Sequence, residues 1–490
     1  MIEFPGAESA STRATRRAML QGLGASALTA VALRARGPVA GSLAGCVGSS
    51  DDVVKGIEHA RTHRPRAKRV IYLHMAGGPS QHDLLDHKPA LARYDGKKCP
   101  QELLEGQRFA FLKGHPTILA SPFSFAQYGE SGAWVSQLLP HFARVVDKVC
   151  IVRSMVTTEF NHAPAQLFLQ TGAPRLGRPS LGAWVHYALG SDNRDLPGFV
   201  VLVSGGKNPS AGKSVWGSGF LPSVHAGVPF RDGKEPVLFL ADPPGMARAA
   251  RLRQVELAGA LDRIQWERER HRAALARIEQ RELSTRMQEA VPRVCDLRQE
   301  PDAIHDLYGT RESTGGFARN CLLARRLLES GVRFVQLYDW GWDSHGTSPS
   351  DDVLHQLQLK TRETDRPIAA LLVDLEQRGM LEDTLVVWGG EFGRTPMNEA
   401  RNGSRFLGRD HQGTAFTMWL AGGGVHAGYV HGETDDLGAR VVSGAVEVHD
   451  LQATILQILG FDHELLTYRY AGRDFRLTDV AGRVVNELLA

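Results

Sequence analysis

The sequence predicts an α/β fold: a mainly parallel central sheet flanked by helices, with a long helical insertion. Three observations carry that reading. Apolar runs ending in Gly-rich turns recur along the chain, helical segments alternate with them, and one extended stretch is rich in Arg, Glu, Ala and Leu. With 42% hydrophobic and 23% charged residues, the 490-residue chain has the composition of a globular protein.

In order, Arg69–Asp83 (RVIYLHMAGGPSQHD) reads as a buried strand over Val70–Met75 that breaks into a Gly-rich loop. Asp147–Met155 and Leu196–Ser204 read as further strands. Met246–Ala290 has helical spacing, so the insertion spans about residues 246–300, its charge runs being solvated faces. Phe317–Gly331 reads as a helix stopped by Gly331, and the next apolar run, VRFVQLY, as a strand. Val353–Gly379 is helical with a kink or break expected near Pro367. DTLVVWGG and TAFTMWLAGG read as strands, and DLQATILQILG as a helix that Asp450 would cap.

The N-terminus reads differently. Residues 1–46 carry Arg13, Arg16, Arg17, Arg34 and Arg36 against Glu3 and Glu8, which accounts for the whole net charge of +3. Arg16-Arg17 followed by an uncharged Gly/Ala/Leu run to Leu33 is the layout of a twin-arginine export signal, and the run is short for a membrane span. Leu43-Ala44-Gly45-Cys46 has the form of a lipoprotein processing box, through which Cys46 would carry a lipid. Residues 1–46 are thus expected to be a signal, 47–68 a linker and 69–490 the folded domain, exported to the periplasm or envelope. The neutral body gives no electrostatic reason to expect nucleic acid. Five widely spaced Cys without a C-x-x-C pair show neither a zinc ribbon nor a disulfide framework.

Polar residues collect around the predicted strands, each cluster being read as following one. They are His82 and Asp83 in GGPSQHDLLD, Asn161 and His162 in TTEFNHAP, Asp343 and His345 in GWDSHG, Glu391 and Arg394 in GGEFGRTP, and Asp410 and His411 in GRDHQG. Carboxylates with imidazoles are a ligand set for Zn²⁺, Mn²⁺ and related ions. An isolated Asp after a strand is more often a cap, and an isolated His a structural group. The carboxyl ends of parallel strands, however, bring such clusters together.

GGPSQHD, FNHAPAQLF with its following TG, WDSHG, GEFGRTP, GRDHQG and VHDLQATILQILG together resemble the domain-of-unknown-function family 1501, from about residue 69 to the C-terminus. That resemblance implies exported, sulfatase-like proteins of the alkaline phosphatase superfamily, its fold, and a site of one or two divalent ions, with Zn or Mn favoured and Ca or Mg the alternatives. Sulfatases carry Cys/Ser-x-Pro-x-Arg ahead of Thr-Gly. Counting back from Thr171-Gly172 puts His162 at the nucleophile position, Pro164 at the Pro and Gln166 at the Arg. The hydroxyl or thiol is missing. His162 is open to three roles: nucleophile through nitrogen, metal ligand or general acid–base. The superfamily's Asp-His-Gly is here Glu391-Phe392-Gly393, its opening Asp-Asp is delayed to Asp83, and Asp343 and His345 stand closer than its Asp-x-x-x-His.

The expectation is a metal-dependent hydrolase of small-molecule or glycan sulfate or phosphate esters. Asp83, Asp343, His345, Glu391, Asp410 and His411 would hold the ions, and His162, Asn161 and Arg394 would face the ester. A non-catalytic, metal-containing binder of an anionic glycan is the alternative. Trp134, Trp184, Trp216 and Trp340 are candidates either for a sugar subsite or for the core.

Overall fold

The computed structural model describes residues 50–490 apart from 232–234, 239, 270–271 and 313–315. The export signal and Cys46 lie outside the described residues. The segment read as a linker contains a helix, Ser50–Ala60. Among the described residues no helix is long and apolar enough to cross a membrane.

A nine-stranded sheet forms the middle layer. Its strands are β1 (Arg69–Ala76), β2 (Val149–Val156), β3 (Phe199–Ser204), β4 (Val228–Phe230), β5 (Phe334–Trp340), β6 (Thr384–Gly389), β7 (Phe416–Ala421), β8 (Tyr429–His431) and β9 (Val446–Glu447). The spatial order is β8-β2-β7-β6-β1-β5-β3-β4, with β9 also on β2. All neighbours are parallel except β7, which runs antiparallel to both β2 and β6. The sheet is mainly parallel, as the apolar runs imply: strands buried on both faces need no polar alternation.

Side chains alternate between two cores. Ile71, Leu73 and Met75 of β1 face one, and Val70 and Tyr72 the other. The first core is covered by α5 (Phe317–Glu329) and α6 (Gln356–Gln377). The second is covered by α1 (His162–Thr171), α2 (Leu181–Leu189) and α7 (Val448–Ile458). Between β4 and α5 the insertion forms α3 (Arg248–Glu269) and α4 (Arg272–Cys295). They are joined through Asp262, which accepts from Arg277 Nε (2.9 Å) and Arg281 Nη1 (2.6 Å).

Two local readings change. α6 continues through Pro367 rather than breaking there. In α7 Asp450 is not the N-cap. Glu447 is, and Asp450, three residues on, accepts the Glu447 N–H in a capping box.

The α5–α6 layer holds a buried ion network. Arg325, 1% exposed, donates from Nε to Asp374 (2.9 Å), from Nη2 to Glu300 (2.6 Å) and from Nη1 to Glu329 (2.6 Å). Removing the guanidinium strands buried carboxylates. Arg325→Met is expected to cost about 3–5 kcal/mol, read as a lower denaturant midpoint at unchanged slope. A loss below about 1 kcal/mol would contradict this account.

Candidate metal centre

The sheet topology gathers the polar clusters at one edge. β6, β1 and β5 are adjacent and parallel, so the loops after them, carrying Glu391, Gly77 and Asp343, emerge side by side. β2 runs the same way and leads into α1, which begins at His162. His411 arrives by another route. GRDHQG precedes β7 rather than following a strand, and because β7 is antiparallel its entry lies at the carboxyl edge of its neighbours. The loops meet closely because of Gly77. At φ 121°, a Cβ built there would lie 2.5 Å from the Asp343 nitrogen.

Asp343 is the hub. Its Oδ1 lies 2.8 Å from His345 Nε2 and 3.3 Å from His411 Nε2, and its Oδ2 lies 3.2 Å from His162 Nε2. Each imidazole is anchored through its other nitrogen. His162 Nδ1 meets Glu391 Oε1 at 2.7 Å, His345 Nδ1 meets Glu399 Oε2 at 2.5 Å, and His411 Nδ1 meets the Phe160 carbonyl at 2.8 Å. With Nδ1–H donated to these acceptors, the three Nε2 atoms converge on one carboxylate, to which they donate when protonated; deprotonated, their lone pairs would be free for an ion beside it.

Electrostatics follow from this crowding. Burial and the Arg394 guanidinium act in opposite senses on the Asp343 carboxyl; the guanidinium and the three imidazoles win and hold it far below the carboxylate range. Burial pulls the His162 imidazolium down, but the Asp343 and Glu391 carboxylates beside it carry its pKa up to about 9. His411 moves the other way, pushed by burial to about 4. Phe392 packs on His162 and His411 with ring centroids 5.0 and 4.4 Å away, and Phe111 lies edge-on to His345 at 4.9 Å.

The donor set fits a divalent ion. The four ligand atoms lie within 4.8 Å of one another. A tetrahedral ion with bonds near 2.0–2.1 Å would space its ligands about 3.4 Å apart. His162 Nε2 is buried without a well-aligned hydrogen-bond partner, and Nδ1 anchoring by carboxylate or carbonyl is the usual support of metal-binding imidazoles. His345, Glu399 and Asp410 form a second, overlapping group.

The other residues read from the sequence sit around this cluster. Glu391, fully buried, accepts the Gly77 N–H (3.1 Å) and the Gln166 amide (3.0 Å) besides His162, and lies 3.3 Å from His74 Nε2. Asp83 has both oxygens on the Arg409 guanidinium, at 2.8 and 3.2 Å, with both side chains 0% exposed. Asp410 accepts the N–H groups of Phe111 (2.7 Å), Leu112 (2.8 Å) and His411 (2.8 Å). Arg394 donates to the carbonyls of Gly78 (2.9 Å), Arg409 (2.9 Å) and Gly77, and to Asp343 Oδ1 at 2.5 Å. His82 donates from Nε2 to the Arg394 carbonyl at 2.9 Å. Asn161 is exposed at the N-cap position of α1, its side chain making no capping hydrogen bond.

The sequence reading missed Glu399 and His74. Glu399 lies outside the quoted motifs. His74 sits inside a strand, where a polar residue reads as noise. A signal for it existed in α1: Gln166 and Gln170 recur at helical spacing from His162, and Gln170 contacts both His74 Nδ1 (3.3 Å) and Gln336 (2.6 Å).

Fold and cluster define the class: an α/β protein with a candidate three-histidine, one-aspartate metal centre at the carboxyl edge of a mainly parallel sheet. The chain belongs to DUF1501, a family of proteins of unknown function, which it matches over residues 67–489. No curated protein matches it. Among solved structures it aligns with the PsFucS1 sulfatase from Pseudoalteromonas sp. at 13% identity, covering 88% of this chain and 75% of that one, with a TM-score of 0.35. It aligns with the lipoteichoic acid synthase LtaP from Listeria monocytogenes at 9% identity, covering 85% and 82%, with a TM-score of 0.34. The alkaline phosphatase from the Antarctic bacterium TAB5 aligns at 10% identity, covering 73% and 92%, with a TM-score of 0.27.

Two outcomes are expected. Asp343→Ala abolishes binding of one equivalent of Zn²⁺ or Mn²⁺, whereas Asp83→Asn keeps the metal and loses about 3–5 kcal/mol of stability; metal analysis beside denaturation separates them. Because His162 holds a proton up to about pH 9 that a metal must displace, apparent affinity rises with pH. Chelator competition should show about tenfold per unit below that pKa and a plateau above it.

Proposed function

We propose that this chain is a metal-dependent hydrolase of sulfate or phosphate esters, exported by the twin-arginine route and acting in the cell envelope. One observation carries the reading: three imidazoles, each anchored at Nδ1, present Nε2 to a single buried-edge carboxylate. His162, Asp343, His345 and His411 would hold the ion. It would supply Lewis-acid polarisation of an ester oxygen and offset charge in the transition state.

The chain's own groups set the rest. Glu391 and Glu399 hold their imidazoles in one tautomer. Arg394, its guanidinium fixed by backbone carbonyls, orients Asp343. Asn161 is exposed and free to donate to a bound anion. Among the described residues no Ser, Thr or Cys side chain hydrogen-bonds to the four ligands, and both His162 nitrogens face carboxylates. The reading is therefore direct attack by water, with no ester formed on the protein.

The test is turnover of 4-nitrophenyl sulfate and 4-nitrophenyl phosphate by the metal-reconstituted full chain. Expected are hydrolysis lost on chelation and in Asp343→Ala, and no phosphoryl group on His162 by mass spectrometry. A chain that binds no metal would overturn this reading, and one that binds metal but turns over neither ester would favour the non-catalytic, anion-binding alternative.

A further inference from the structure

We propose that the cleft beside the candidate metal centre is a saccharide subsite, with Trp340 as its stacking platform and Lys207 as its anion contact. The ester taken by the site is then a sugar ester. This rests on the hydrolase reading above.

The cleft, of about 820 Å³, runs from Asp343 past the ends of β3 and β5 to the start of α6. That volume is in the range of small-ligand sites. Among the described residues lining it, Trp340 is the one aromatic side chain. Trp184 and Trp216 are core residues, and Trp134 packs on His87. Trp340 is half-buried at the end of β5, its ring centroid 6.1 Å from that of His162, so a ring stacked on it would sit next to the cluster.

Lys207 is placed by the chain. Gly205, at φ 75°, lets the loop after β3 lie flush on the Trp340 backbone; a Cβ there would be 2.2 Å from the Trp340 oxygen. Two residues on, the exposed Lys207 ammonium lies 5.8 Å from the Trp340 ring centroid. Among the described residues it forms no ion pair, so its charge is available to a ligand. Such an exposed cation–π contact is worth only about 0.5–1 kcal/mol and yields readily to an anion.

Most of the remaining wall residues are polar, with Val203 and Leu359 the apolar exceptions. Lys360 sits on the floor, donating to Asp339 (2.7 Å) and Glu363 (2.9 Å), and Gln356 and Asn320 add amides. Donors and acceptors side by side suit hydroxyl groups, and a single indole face suits the apolar C–H face of a pyranose. Leu359 and Val203 add only small apolar patches, and a bare anion would have no use for the indole.

The experiment is calorimetric titration of the metal-loaded full chain with N-acetylglucosamine 6-sulfate, galactose 6-sulfate and glucose 6-phosphate, beside inorganic sulfate and phosphate. Sugar esters are expected to bind at least about tenfold tighter than the inorganic ions. Trp340→Leu should erase that preference without changing metal content or affinity for the inorganic ions. Lys207→Met, at an exposed position, should weaken sugar esters and inorganic ions alike, and it carries the test if Trp340→Leu loses metal. Equal binding of sugar esters and inorganic ions, or no effect of Lys207→Met, overturns the subsite. If metal uptake and 4-nitrophenyl ester hydrolysis persist then, the subsite falls alone; without them the hydrolase reading falls too.

Discussion

The site turns on one carboxylate. Asp343 is approached by three imidazole nitrogens and one guanidinium, and each approach imposes a condition elsewhere. The Gly77 loop must come within contact of its backbone, which excludes a side chain there. Arg394, 1% exposed, must be solvated by protein instead of water, and the carbonyls of Gly77, Gly78 and Arg409 do this. The Arg409 side chain in turn sits in the buried pair with Asp83. A second ring of buried charges therefore exists to fix the backbone that fixes the first.

The fold was legible because its strands are written plainly. Val70–Met75, Asp147–Met155 and Leu196–Ser204 are apolar runs of the length a buried parallel strand needs, and the structure places β1, β2 and β3 on them. What sequence could not tell was direction. A run such as TAFTMWLA looks the same parallel or antiparallel, and only the reversal of β7 explains how His411, ahead of a strand, reaches loops that follow strands. Sequence also could not rank polar residues by distance from the centre. Asp83 and Glu391 share motifs with ligand-like neighbours, yet their oxygens meet Arg409 and imidazole Nδ1, and Asp410 joins only the second, overlapping ligand group. Glu399 contacts His345 from outside every motif. Such contacts arise from chain crossings that no local spacing records.

The His162 proton shows how the same groups serve two states. Four carboxylates, Asp343, Glu391, Glu399 and Asp410, surround the cluster, and only Arg394 and Arg401 are fixed cations paired with them, so the centre favours added positive charge. In the metal-free chain His162 supplies part of it by holding its proton to about pH 9 against the pull of burial. A divalent ion among the Nε2 atoms would displace that proton and add one further positive charge.

That exchange also bears on chemistry. With Nδ1 on Glu391 and Nε2 turned to Asp343, His162 has no lone pair left to attack an ester. His162, which the sequence resemblance sets against the hydroxyl or thiol of sulfatases, is part of the charge balance of the cluster. On the hydrolase reading proposed above, such a chain would activate water rather than form a covalent ester. Its rate would depend on how well the cleft at Trp340 and Lys207 holds the ester against Asp343 rather than on a nucleophile of its own.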